Sequence, residues 1–211
     1  PKYTEAITYS NKVITLGGYT LLADYRKIMR ADNNVGNTEA IFTINFDGLK
    51  TQNWGGTTFL THASVGGSMS AAAFGVDGGW GGLRTTKNLV NLFPDVTGTL
   101  DQRSQFHSAG QSLEINEIGT FTDGYAVTKF KNIKADGTAG SNLTWMDIDF
   151  PLFRLGEQYL IYAEAALRGG SGGSLTTAVT YINMLRTRAA AASIVQADLT
   201  LPFILDERGR E

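Results

Sequence analysis

The sequence predicts a mainly helical chain in which a helical frame closes around a long, loop-rich and weakly β middle. Three observations carry this. An amphipathic stretch opens the chain, two more follow one another near its end, and between them glycines and aromatic residues crowd a region of little periodicity. In residues 3–16, Tyr3, Ala6, Ile7, Ser10, Val13 and Ile14 recur at helical spacing, and Gly17-Gly18 supplies the residue a left-handed helix stop requires. Residues 19–30 read as a short helix or turn. From Glu39 to Phe46, β-branched and aromatic residues alternate up to Asp47-Gly48, which predicts a strand.

From Asn53 to Gly82 four glycine pairs surround Trp54, Phe59, Phe74 and Trp80. A loop excursion of this length inside a folded chain is usually functional or disordered, and its aromatics argue against disorder. Residues 83–93 read as a short helix and 125–130 as a strand or extended segment. The C-terminal third is the most regular part. Over 153–168, Leu152, Leu155, Tyr159, Tyr162, Ala163 and Ala166 form one helical stripe stopped by Gly169-Gly170. Over 175–190, Ala178, Val179, Ile182, Leu185 and Ala189 form a second, with Arg186 and Arg188 near the end where the helix dipole favours cations. The short Gly-rich turn between them predicts an antiparallel hairpin. Thr200 as N-cap and Pro202 in the first turn then start a last helix over 201–211.

The 211 residues suffice for a sizeable core, and polarity comes mainly from uncharged groups, since charged residues make up 18% against about 25% in ordinary domains. Eighteen Lys and Arg against twenty Asp and Glu leave a net charge of −2, which gives no field to attract a phosphate backbone, so nucleic acid is excluded as the partner. The absence of cysteine removes disulfides, thiolate metal sites and a cysteine nucleophile. Isolated His62 and His107 offer little to zinc, so neither metal nor cofactor is expected. No apolar run approaches the ~20 residues that span a bilayer, and the chain is expected to be soluble. It opens without Met inside a helical pattern and closes inside another, so the expectation is a piece of a longer protein. Residues 1–211 are expected to form one domain, with helix and strand over 1–50, a loop-rich ligand region over 51–150, and the hairpin with the start of the last helix over 151–211.

Three linked segments carry a family resemblance: Phe150-Pro-Leu-Phe-Arg-Leu-Gly-Glu-Gln-Tyr-Leu-Ile-Tyr-Ala-Glu-Ala-Ala, then Ala178-Val-Thr-Tyr-Ile-Asn-Met-Leu-Arg-Thr-Arg-Ala, then Ile204-Leu-Asp-Glu-Arg-Gly-Arg-Glu. In this order they resemble the SusD/RagB family of outer-membrane glycan-capture proteins. Arg154, Glu157, Tyr159, Leu160, Glu164, Asn183, Arg186, Arg188, Glu207, Arg208 and Glu211 match its pattern. Looser likeness extends through Trp80-Gly-Gly-Leu-Arg84 and Tyr125-Ala-Val-Thr-Lys-Phe. The resemblance implies an α-α superhelix of tetratricopeptide-like hairpins with a long loop-rich, weakly β insertion. It also implies noncatalytic capture of a glycan at the cell surface and delivery to a TonB-dependent, SusC-like outer-membrane transporter. Family members are about twice this length and are outer-membrane lipoproteins tethered through a cysteine that this chain lacks, which would be its only link to a membrane. The alternatives are a glycoside hydrolase or other carbohydrate-active enzyme, or capture of peptide or glycoprotein-derived ligands.

The remaining motifs read as structure. Gly169-Gly-Ser171-Gly-Gly173 spells a nucleophile elbow but joins helix to helix, without the strand that the elbow needs. Asp32 and Asn34 begin like a calcium loop, yet the glycine comes one position early, at Gly36, and Thr43 stands where the closing Glu belongs. Asn142-Leu-Thr144 spells a glycosylation acceptor, which has no bearing in a bacterium. Asp147 and Asp149 are carboxylates with no predictable facing partner. The motif's Arg and Glu residues have spacings suited to ion pairs between helices and are assigned to packing.

Sugars present C–H faces that stack on aromatic rings and hydroxyls that need planar polar partners. Trp54 beside Gln52 and Asn53, Trp80 with Arg84 nearby, and Trp145 are therefore the candidate ligand residues, with His62 as a possible donor to a hydroxyl.

Overall fold

A computed structural model describes residues 1–211. Three helices supply most of the frame: α1 (Tyr3–Leu16), α4 (Leu155–Leu167) and α5 (Leu175–Arg188), with α6 (Leu201–Arg210) closing it. The predicted stripes face inward. Ile7 of α1, Leu155, Tyr159 and Ala163 of α4, Ala178, Ile182 and Leu185 of α5, and Ile204 of α6 form one buried cluster. Ala163 and Ala178 have no exposed surface, so small side chains let α4 and α5 approach closely. Local chemistry sets the ends. Gly18 takes a positive φ of 70° after α1, Gly169 takes 82° after α4, and the side chains of Ser174 and Thr200 accept from the Thr177 and Phe203 N–H groups as N-caps. No helix is long and apolar enough to cross a membrane.

Everything between strand β1 (Ala40–Ile44) and strand β5 (Phe150–Arg154) is one excursion from this frame, because the two strands pair antiparallel, Ala40 opposite Arg154 and Ile44 opposite Phe150. β5 corrects the expected helix start at 153: the chain stays extended through Arg154, and Leu152 lies exposed on the strand rather than on the helical stripe. Pro151 pushes Phe150 toward extended backbone, and the Leu155 N–H donates to the Glu39 carbonyl, so α4 starts only after the strand has docked.

Within the excursion, the expected unbroken loop over 53–82 is also corrected. It holds helix α2 (Gly56–Ala63) and a 3₁₀ turn at Ala71–Phe74. The buried face of α2 is Thr57, Thr58, Thr61 and His62, a polar face that leaves no hydrophobic period to read. The expected helix over 83–93 shrinks to α3 (Lys87–Val90), preceded by β2 (Arg84–Thr85). β2 pairs with β4 (Tyr125–Val127), which also pairs with β3 (Phe106–His107). A second cluster, Val65, Phe74, Val76, Met146 and Ile148, gives the excursion its own core.

Frame and excursion are joined by a buried ion network. Arg103 grips Asp101 through two bonds of 2.9 and 2.7 Å and reaches Glu207 at 2.8 Å and Glu211 at 3.3 Å. Arg154 bonds Glu39 at 2.8 Å and Glu211 at 3.0 Å, while Arg188 bonds Glu39 at 2.7 Å and also Glu211. Arg186 and Arg210 hold Glu207 from its other oxygen. Burial alone would push the Glu211 carboxyl up, but Arg188, Arg154 and Arg103 overcome it and hold the group down at about 2. Five arginines thus face four carboxylates, which gives the motif's charged residues a structural use. Glu164 takes Arg168 and Arg208, while Glu157 pairs with none of them.

Candidate functional site

Three separate pieces of the excursion bring the tryptophans together. Trp54 stands just before α2, where the Asn53 side-chain oxygen accepts the Gly55 N–H at 2.9 Å in a local turn. Trp80 belongs to a segment that caps the other end of that helix. The Trp80 N–H donates to the His62 carbonyl, the Gly81 N–H to Val65, and the Gly82 and Leu83 N–H groups to Ala63, satisfying carbonyls that a helix end leaves open. Gly79 is needed for that approach, since a Cβ there would lie 2.3 Å from the Val65 carbonyl oxygen. Trp145 closes a turn in which the Asn142 side-chain oxygen accepts the Thr144 and Trp145 N–H groups at 2.8 and 3.1 Å.

The resulting cluster is tight and open to solvent. The Trp54 and Trp145 ring centroids lie 4.4 Å apart and those of Trp54 and Trp80 5.9 Å apart, each pair inclined at 53°. Trp54 is 60% exposed and Trp80 43%, so neither fills the core, while Trp145 is half-buried beside them. Phe59 on α2, 46% exposed and 6.2 Å from Trp80, extends the surface. Sequence reasoning placed Phe59 in a loop and passed it over. It comes beside Trp80 because α2 carries it there, a placement that no local spacing in the sequence announces.

Two expected ligand residues are engaged elsewhere. His62 is 1% exposed, and its Nδ1 and Nε2 lie 2.6 and 3.0 Å from the Gly78 and Thr144 carbonyl oxygens, so it cannot reach a ligand hydroxyl. Instead it stacks under Trp80 and ties α2 to the Trp145 turn. The Arg84 guanidinium donates from Nε to the Asp123 carbonyl and from its two terminal nitrogens to the Gly82 and Ile118 carbonyls, so two of its three bonds go to the 112–124 loop. Asn53, exposed and serving its own turn, remains beside Trp54.

Asp147 and Asp149, near the cluster, are structural as well. Asp147 accepts from the Gly48 N–H and from the Ser141 N–H and hydroxyl. Asp149 is buried and accepts the Phe46 N–H, and burial pushes its carboxyl up despite that bond. Both tie the exit of β1 to the segment carrying Trp145. No group of three or more His, Asp or Glu side chains is placed to hold a metal ion. A cavity of about 650 Å³ lies away from the tryptophans, between the 91–101 loop and α5 and α6. Arg186 and Arg210 on its wall are already committed to Glu207 and to the Phe203 ring, so it offers little unspent polar chemistry.

Comparison with known proteins gives a consistent picture. A profile of the SusD family matches residues 101–211. The starch-binding protein SusD of Bacteroides thetaiotaomicron is 31% identical, the match covering 99% of this chain and 45% of the relative. Surface glycan-binding protein A from Bacteroides thetaiotaomicron, solved in complex with laminarihexaose, superposes with a TM-score of 0.71 at 22% identity, over 99% of this chain and 47% of that one. A SusD superfamily protein from Parabacteroides distasonis superposes with a TM-score of 0.67 at 24% identity, over 98% of this chain and 43% of that one. The chain thus spans a little under half the length of these relatives.

Proposed function

The chain belongs to the SusD family, with a mostly helical SusD-like fold, and from that premise we propose that its tryptophan cluster binds oligosaccharide without transforming it. The observation that carries the reading is the convergence of Trp54, Trp80 and Trp145, drawn from remote positions onto one exposed surface. Their mutually inclined rings offer stacking faces to successive sugar rings. The exposed Asn53 amide offers hydroxyl contacts at its edge. His62, Asp147 and Asp149 hold the platform in place, and none of the three is left free for proton transfer to a bound sugar.

This capture, in the proposal, serves uptake: the glycan is handed to a TonB-dependent, SusC-like transporter at the outer membrane, where the protein acts as a cell-surface lipoprotein. The relatives' ligands, starch for one and laminarihexaose for another, are both glucans and make maltohexaose and laminarihexaose the first probes. Calorimetric titration with both, alongside reducing-end detection after prolonged incubation, tests the reading. Binding without release of new reducing ends is the expected result. Hydrolysis abolished by replacing an Asp or Glu would establish an enzyme instead, and no binding of either glucan would remove this ligand class.

A further inference from the structure

The buried arginines of the frame are matched with carboxylates, but a second group of cations is not. The 3₁₀ turn at Tyr25–Met29 carries Arg26 and Lys27 on its exposed side, followed by Arg30. Arg30 stands opposite Lys131 across a parallel β-bridge, in which the Lys131 N–H donates to the Met29 carbonyl at 3.2 Å. Like charges placed opposite one another repel. Arg26 has Asp24 at 3.0 Å as its partner, whereas the Arg30 guanidinium makes no ion pair, and the Lys131 ammonium has only the face of Phe74, 4.8 Å away. Burial, reinforced by the neighbouring arginines, pushes both groups below their ordinary values. Both charges are partly desolvated, and no carboxylate bonds either directly although Asp24 and Asp32 lie near Arg30, an arrangement that favours an incoming anion.

The space beside them suits one. Arg30 and Lys131 line a hollow of about 210 Å³ whose other walls include Gln102, Gln105, Thr128 and Phe106, with no carboxylate among them. The Gln105 amide nitrogen is buried without a hydrogen-bond partner. A second hollow of about 270 Å³ shares Arg26 and Arg30 and adds Lys27, Lys134 and Asp24, whose carboxylate is spent on Arg26. Guanidinium and ammonium groups fit a carboxylate or sulfate, amides and hydroxyls fit sugar hydroxyls, and an aromatic ring fits a sugar's C–H face.

We propose that this groove is a second saccharide subsite, separate from the tryptophan platform, which seats the carboxylate or sulfate of an acidic sugar between Arg30 and Lys131. The class of ligand rests on the glycan-binding reading above, while the anion requirement rests on the groove alone. Calorimetric titration with trigalacturonate, with a sulfated galactose disaccharide and with neutral maltohexaose tests it. At least one acidic probe should bind, more weakly as salt is raised, and the one that binds distinguishes carboxylate from sulfate. Its affinity should fall about tenfold or more in the Arg30→Gln, Lys131→Gln double variant and stay unchanged in Trp54→Ala. Thermal unfolding of the double variant should be unchanged or raised, because two facing like charges are gone. Should that variant fold poorly, Gln105→Glu, which sets a carboxylate among the cations, should abolish binding of the acidic probe. Failure of both acidic probes, or equal affinity in wild type and in the folded variants, would overturn the proposal. Maltohexaose, bound more weakly by Trp54→Ala and unchanged in the groove variants, reports on the platform independently.

Discussion

His62 lies flat beneath Trp80, with ring centroids 4.8 Å apart and planes 11° apart. The imidazole sets the indole's tilt while both of its nitrogens engage carbonyl oxygens. His62→Ala should therefore cost about 1–3 kcal/mol of stability by leaving polar groups unpaired, and should weaken glycan binding without removing any direct contact. His62→Phe keeps the stack alone, so affinity should hold while stability falls. Denaturation curves paired with calorimetry read both variants.

Trp54→Ala should weaken binding by roughly 1–3 kcal/mol, the usual loss at an aromatic stacking platform. Stability should change little, because the side chain is 60% exposed. A lowered unfolding midpoint with unchanged affinity would instead make Trp54 a packing residue.

Gly79→Ala probes the seam that positions Trp80. The added Cβ meets backbone rather than a flexible side chain, so the seam must open, at about 1–3 kcal/mol. Loss of the intrinsic tryptophan fluorescence signature of the cluster should accompany the loss of stability.

Arg103→Met should be among the most damaging single changes. It strands Asp101 and deprives Glu207 and Glu211 of a partner, all in the interior, and breaking a buried pair in this way costs about 3–5 kcal/mol. Urea unfolding at neutral pH measures it.

The acid limb of stability follows from Glu211. Its folded value of about 2 lies below the ordinary 4.5, so its contribution is complete above about pH 4.5 and is lost as pH falls toward 2. Glu211→Gln should flatten the stability profile across that window while lowering stability at neutral pH.

The frame was legible because α1, α4 and α5 bury apolar stripes against one another, and a stripe is what periodicity detects. Helix α2 was hidden because its buried face, Thr57, Thr58, Thr61 and His62, is polar: the Thr61 hydroxyl bonds the Thr57 carbonyl within the helix, the Thr58 hydroxyl accepts the Met146 N–H, and the His62 ring engages the distant Gly78 and Thr144 carbonyls. β5 was hidden because Phe150–Arg154 continues the apolar content of α4 without a break in composition. The tryptophans could be named from the sequence but not grouped: Trp54 and Trp145 are 91 positions apart, and long-range hydrogen bonds of Asp147 and His62 together with the Met146 and Ile148 packing bring them together.

The pairing of β1 with β5 has an evolutionary corollary. Because Ile44 and Phe150 sit opposite one another, everything between them leaves and re-enters the helical frame at a single gate. Closure entropy rises only slowly with loop length, by about 0.6 kcal/mol per doubling. Insertions and deletions among the recognition segments can therefore accumulate while the helices keep their packing, provided that Asp101 and Arg103 still reach Glu207 and Glu211. Such a plan lets one inherited chassis diversify toward new ligands by exchanging a cassette.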